Sequence, residues 1–186
     1  MRVITGTARG RKLLTLDGND VRPTTDMVKE AVFSIIHFRL PGAEVADIFA
    51  GCGQMGIEAL SRGASKVTFV DNRRASIEVI HQNLKATGFT KQSAVIASEA
   101  AAFLAQTKGK YDIIFLDPPY NQGYGEKLLP LLERPLNDGG IILFEHGKDE
   151  PLPDRVGGLV KKKDYRYGKI YVSSYVKEEE EISAEE

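Results

Sequence analysis

The residues best suited to chemistry are Asp117-Pro118-Pro119-Tyr120. They follow an apolar run, Tyr111 to Asp117, that reads as a buried strand. Each proline lacks an N–H and has a fixed φ, so a central strand cannot continue through them. Asp117 therefore marks a strand end, and the chain beyond it is stiff. Open α/β sheets bind ligands at the carboxyl ends of their strands. One carboxylate beside rigid carbonyls is a pre-aimed set of acceptors, and Tyr120 adds a flat face. Such a group suits a planar ligand with an exocyclic NH2, a nucleobase. On these four residues alone, a plain turn leaving a core strand is the competing reading.

A second stretch, Asp47-Ile48-Phe49-Ala50-Gly51-Cys52-Gly53, closes an earlier strand. Glycines there let a backbone approach a ligand closely and open the next helix. With Gly56 the spacing is also Gly-x-Gly-x-x-Gly, and Asp71 stands twenty residues past Gly51. A carboxylate at that place can accept ribose hydroxyl protons. The pattern indicates an adenosine-containing cofactor and leaves its class open. Ser98-Glu99 follows the next strand; Glu99 either offers an acceptor near the adenine amino group or favours a helix N-terminus through its dipole. Cys52 has no evident partner histidine and fills a loop that needs a small residue, so it is not expected to be a nucleophile. His37, His81 and His146 lack metal-ligand spacing, and no metal site is expected.

The elements that must hold these residues alternate. Strands are expected at Val45–Ala50, Lys66–Asp71, Ala94–Ala97, Tyr111–Asp117 and Gly140–Glu145. Helices fit Gln54–Arg62, Arg73–Thr87, Glu99–Gln106 and Gly125–Leu132. This order implies a doubly wound, mostly parallel sheet with helices on both faces. Two further strands, Gly158–Lys163 and Lys169–Val176, flank a Tyr167-Gly168 turn. Ahead of the sheet, Arg2–Thr5 and Arg11–Leu16 can pair as a hairpin. After Val21-Arg22-Pro23-Thr24-Thr25-Asp26, a helix buries Val28, Ala31, Val32, Ile35 and Ile36.

At 186 residues, with 42% hydrophobic and 27% charged residues, one full-sized domain is expected. No apolar run is long enough to span a bilayer, there is no signal-peptide core, and the lone cysteine fits a reducing cytoplasm. The net charge of −1 hides an asymmetry. Residues 178–186 hold six acids and no base, which leaves +5 on residues 1–177. Before Asp17 the bases Arg2, Arg9, Arg11 and Lys12 meet no acid. That arm reads as a polyanion footprint or as an ordinary solvated face. The acidic tail has the composition of a disordered end.

Taken together, Asp47-x-Phe49-Ala50-Gly51-x-Gly53, Asp71 and Asp117-Pro118-Pro119-Tyr120 resemble the class I S-adenosylmethionine-dependent methyltransferases. The N-terminal residues narrow this. Arg9-Gly10-Arg11-Lys12-Leu13, Arg22-Pro23-Thr24-Thr25-Asp26, Glu30-Ala31-Val32-Phe33 and Glu58-Ala59-Leu60-Ser61-Arg62-Gly63-Ala64 resemble the bacterial RsmD family, up to Tyr175. The resemblance implies a Rossmann-like sheet of seven strands with a C-terminal antiparallel hairpin. It implies a core at residues 41–177, an RNA-contacting extension at 1–40 and a tail at 178–186.

It also implies methylation of a guanine N2 in 16S ribosomal RNA, free or within a small-subunit particle, by a cytoplasmic monomer. An N6-adenine DNA methyltransferase is the alternative that shares the chemistry. S-adenosylmethionine would lie on Asp47, Phe49, Gly51, Gly53, Asp71 and Glu99. RNA would meet Arg9, Arg11, Lys12 and Arg22, and Asp117, Pro118, Pro119 and Tyr120 would act on the amine. Met27 and Lys29 stand where the family commonly has arginines, an expected loss of RNA contacts. Cys52 replaces a usual Ser or Thr, and Glu99 a usual Asp or Asn.

Overall fold

The computed structural model describes residues 1–16 and 26–178. Arg22, the Val21–Thr25 segment around it, and Glu179 to Glu186 lie outside the described residues. Helix α1 is Asp26–Ile35, followed by a 3-10 turn at His37–Arg39. The alternating part then runs β1 Glu44–Ile48, α2 Gln54–Ser61, β2 Lys66–Asp71, α3 Arg74–Thr87, β3 Ser93–Ala97, α4 Ala100–Gln106, β4 Tyr111–Leu116, α5 Tyr124–Leu132 and β5 Leu136–Gly147. The chain closes with β6 Arg155–Val156, β7 Leu159–Tyr167 and β8 Ile170–Lys177.

All eight strands form one sheet in the order β3-β2-β1-β4-β5-β8-β7-β6. Strands β1 to β5 pair in parallel; β8, β7 and β6 add antiparallel. Both faces of the parallel part are covered, which is why β1, β2 and β4 read as unbroken apolar runs. One face packs Val32, Phe33, Ile57, Phe69 and Ile80; the other packs Phe103, Leu104, Leu128, Phe144 and Tyr175.

Differences from the sequence reading have local causes. There are eight strands, not seven, because β6 has two residues and so shows no periodicity. Strand β1 stops at Ile48, since Phe49 turns left-handed at φ 64°. Strand β5 is longer than the apolar run inside it, and its pairing with β4 shifts register between Tyr111 and Ile113. The two N-terminal runs do pair, but briefly: one antiparallel bridge, Arg2 with Lys12, flanked by the Val3 amide on the Arg11 carbonyl and the Leu13 amide on the Met1 carbonyl.

That N-terminal arm is held by buried polar groups of α2. The Glu58 carboxylate is wholly buried and accepts the amides of Ile4 and Thr5 at 2.9 Å each. It also accepts Arg62 Nε at 2.8 Å and faces Lys29 Nζ at 3.3 Å. Ser61 Oγ receives the Ala8 amide and donates to the Thr5 carbonyl. Gly6, at φ 88°, lies so close that a Cβ there would stand 1.7 Å from the Ser61 carbonyl oxygen.

Lys29 therefore corrects the sequence reading. Its side chain has no exposure; Nζ donates to the Arg2 carbonyl and pairs with Glu58. It anchors the arm from below and is not placed to meet RNA, whereas Met27 is exposed. Breaking a buried ion pair by removing one partner is strongly destabilising. Lys29→Ala is expected to lower unfolding stability by about 3 kcal/mol in urea titration, and an Arg9→Ala, Arg11→Ala double variant by less than about 1 kcal/mol.

Candidate active site

The sheet reverses its order between β1 and β4. This is the switch point at which loops diverge and leave a crevice beyond the strand ends. The parallel register pairs Asp47 with Phe115 and Ile48 with Leu116, so the loops after β1 and β4 start side by side. The Asp117 amide still reaches the Ile48 carbonyl, at 3.4 Å.

On the β1 side, the Gly-rich loop is tied to two carboxylates. Asp47 is buried, and its Oδ2 accepts the Gly56 amide in the first turn of α2 at 2.9 Å. Asp71 Oδ2 accepts the Gly51 amide and its Oδ1 the Arg73 amide, both at 2.9 Å. The glycines divide the work. Gly51 and Gly53 have φ of 58° and 81°. A Cβ on Gly56 would stand 2.3 Å from Phe69 Cε1, so α2 can pack on β2 only without one. Phe49 packs edge-on to Tyr124 at 5.0 Å. Cys52 is buried, and burial pushes its thiol further up, away from a reactive thiolate.

On the β4 side, Asp117 lies in a narrow cleft with Asp47 and Glu145, bounded by Val32, Met55 and Val172. Pro118 is buried and Pro119 exposed. The Tyr120 hydroxyl donates to Glu145 Oε1, and the Tyr120 ring lies over Gly147, where a Cβ would be 3.3 Å from Cδ2. Glu150 fixes the loop beyond it, accepting the Asn121 and Gly123 amides at 2.6 and 2.8 Å. Asn121 is left-handed at φ 59°. The acceptor loop is thus held from three sides.

Three carboxylates in one cleft raise each other's proton affinity. Packing among protein atoms, then the charges of Glu145 and Asp47, then a hydrogen bond with Glu145 push Asp117 well above the usual carboxylate range. Its surface keeps an open side, so water relieves part of the desolvation and the two neighbouring charges are the firmer cause. Burial lifts Asp47 to about 7, against the Gly56 amide and with the Asp71 charge. A wider recess of about 280 Å³ lies at the opposite ends of the strands, beside Arg39, Asp112 and Asp138. There Asp112 is occupied by the Glu44 amide and Asn137.

A family model described as "Conserved hypothetical protein 95" matches residues 1–176. The chain belongs to this family, the RsmD family. It is 40% identical over 182 residues to YlbH of Bacillus subtilis, a candidate rRNA methyltransferase, covering 95% of this chain and 99% of the relative. It is 39% identical over 155 residues to ribosomal RNA small subunit methyltransferase D of Escherichia coli, covering 82% and 78%. The solved structure of the Escherichia coli candidate methyltransferase yhhF superposes with a TM-score of 0.85 at 36% identity, covering 96% of this chain and 98% of that one.

Within this RsmD framework the expected residues fall into separate groups. Asp47, Phe49, Gly51, Gly53 and Asp71 converge on the β1 and β2 ends. Asp117, Pro118, Pro119 and Tyr120 form the adjoining loop. Glu99 is exposed at the start of α4 and accepts Asn72 Nδ2 at 2.6 Å, which ties it to the residue after Asp71. Arg9, Arg11 and Lys12 are exposed on the arm. Among the described residues no cluster of His, Cys, Asp and Glu could hold a metal ion.

Glu145 was missed. Its signal was present: it is an acid ending an apolar run, as Asp71 does in β2 and Asp117 does after β4. Asp47 yields a pH test. Its folded pKa lies above the ordinary carboxylate value, so the folded state binds the extra proton between about pH 4 and about 7. Stability is expected to fall as pH rises through that window. In Asp47→Asn this slope is expected to be smaller, with the part due to the raised Asp117 remaining, in denaturation midpoints measured from pH 4 to 8.

Proposed function

We propose that this protein transfers a methyl group from S-adenosylmethionine to the exocyclic N2 of a guanine in 16S ribosomal RNA, in the cytoplasm. The observation that carries the reading is Asp117 at the end of β4, followed by Pro118 and Pro119 and packed against Glu145, to which Tyr120 is bonded. The family's named rRNA methyltransferases supply the substrate class.

The residues fit the cofactor on structural grounds. Gly51 and Gly53 are left-handed, and the loop is open at Gly51, where a Cβ meets nothing closer than 4.0 Å, whereas at Gly53 it would press on Phe69 and Ile80 at 3.3 Å. In the first turn of α2, Gln54 Oε1 is buried with no partner among the described residues. Asp71 can still accept a ribose hydroxyl, because each carboxylate oxygen takes more than one donor. The three-carboxylate cleft is electrostatically suited to a positively charged ligand. S-adenosylmethionine would bring a sulfonium-activated methyl, and Asp47, Phe49, Gly51, Gly53, Asp71 and Glu99 are the residues assigned to hold it. Titration calorimetry should show binding of S-adenosylhomocysteine and none of NAD, and Asp71→Ala should weaken the former by about 1.5–3 kcal/mol.

A guanine N2 is a poor nucleophile because its lone pair is delocalised into the ring. The Asp117 carboxylate and the Pro118 carbonyl are assigned to accept its two N–H groups, drawing the nitrogen toward a pyramidal, nucleophilic form. Tyr120 holds the base, and its bond to Glu145 fixes the ring. The chemistry is positioning plus electrostatic stabilisation, with no covalent enzyme intermediate. The base must leave its stack to arrive. Arg9, Arg11 and Lys12 contact phosphates and orient the RNA without reading its sequence. N6-adenine DNA methylation has the same demands at the amine, and parallel assays on 16S RNA and duplex DNA separate the two.

Asp117→Ala should lower the single-turnover rate on the order of 10²–10³-fold with cofactor affinity within a few-fold of wild type. Asp117→Asn, whose amide oxygen still accepts one N–H, should keep partial activity. Acceptance requires the ionised form, so activity is lost as pH falls through the raised Asp117 pKa. Glu145→Gln removes a neighbouring charge and should shift that acidic limb of the rate profile to lower pH. A near-normal rate for Asp117→Ala would end the assignment.

A further inference from the structure

The candidate cleft has one open flank that the proposed chemistry does not use, the β7–β8 hairpin. Register places it. Glu145 pairs with Val172, and Val172 pairs with Tyr165, so these three share one face of the sheet. Val172 and Glu145 both line the cleft. Tyr165 therefore stands two strand spacings from Glu145, roughly 10 Å, on the face where the cleft opens. Gly147, Ile170 and Tyr167 form the next row on that face, with Gly147 under the Tyr120 ring.

The side chains on this face are those that hold unpaired nucleic acid. Tyr165 and Tyr167 are half-buried: they pack on the core and keep part of each ring in solvent. Lys163 Nζ lies 5.0 Å from the Tyr165 ring centroid. At the tip, Gly168 at φ 66° and exposed Lys169 form a two-residue turn. From Lys161 to Lys169 there are five bases and one acid. That acid, Asp164, lies 3.2 Å from Lys161 Nζ and accepts the Ser173 hydroxyl. Lysines on an edge strand also deter strand addition, which accounts for the charge alone. It does not account for two partly exposed tyrosines continuing the floor of the cleft.

We propose that the cleft-side face of the β7–β8 hairpin is a track for the single-stranded RNA beside the target nucleotide. Tyr165 and Tyr167 offer ring faces to neighbouring bases, and Lys163 and Lys169 meet the phosphates between them. A splayed-out target base needs its flanking nucleotides unstacked, and aromatic rings replace the lost stacking. The track rests on the reading of RNA as substrate and adds a second contact surface to the N-terminal arm.

The test uses the full chain and a fluorescein-labelled single-stranded RNA 12-mer, with S-adenosylhomocysteine titration as the control for folding. Lys163→Gln with Lys169→Gln is expected to flatten the log–log salt dependence of RNA binding by about 1.4, two phosphate contacts on a single strand. Tyr165→Leu with Tyr167→Leu keeps apolar packing and removes the rings; about tenfold weaker RNA binding is expected with S-adenosylhomocysteine affinity unchanged. Should both double variants bind the RNA with wild-type affinity and salt slope, the track is wrong, while the methylation reading stands. Should the wild-type protein neither bind the RNA nor methylate ribosomal RNA, both readings fall.

Discussion

The parallel register between β1 and β4 is the constraint on which the site depends. It sets Asp47 level with Phe115 and Ile48 level with Leu116. The two loops of the candidate site then leave the sheet next to each other, although about seventy residues separate them in the chain. A one-residue slip in a strand turns every side chain to the other face. Here both faces of β1 and β4 are buried, by α1 and α2 on one side and α4 and α5 on the other. The register is therefore held by two cores at once, and the cleft inherits that rigidity.

Around this register the protein places carboxylates where the backbone needs acceptors. Asp47 holds the first turn of α2, Asp71 holds the Gly-rich loop, and Glu150 holds the loop beyond Tyr120. Each is bonded to amides with no strand or helix partner of their own. Asp117 and Glu145 differ, because their carboxyl groups lie within hydrogen-bond reach of each other and each disfavours the other's ionisation. That unfavourable pairing is maintained by a folded scaffold and is the kind of local conflict that marks functional sites.

The N-terminal arm is attached by different physics. Glu58 and Lys29 are both fully buried, and their charges are matched by each other, by Arg62 and by backbone groups of the arm. A buried pair of this type contributes little net stability relative to an apolar pair but strongly disfavours any arrangement that leaves one charge alone. It therefore fixes where the arm lies, with Arg9, Arg11 and Lys12 on the outside.

By itself the sequence determined the alternating architecture, most helix and strand spans, and the two loops of the candidate site. These were legible because a buried parallel strand needs an unbroken apolar run, and proline or glycine must end it. Family resemblance in the motifs added the cofactor and substrate class that are proposed. Tertiary structure decided what a residue's surroundings make of it. Lys29 read as a replacement for a family arginine that would cost RNA contacts, and only the packing of α1 on α2 shows it as a buried counter-ion. Glu145 looked like the last residue of a strand, and only the order β1-β4-β5 brings it against Asp117. Tyr167 read as a turn residue and Tyr165 fell between the expected strands, and only the β5–β8–β7 register puts both in β7 on the cleft face. Side-chain charge and shape are local in sequence, whereas burial and neighbouring charge depend on contacts far apart in the chain.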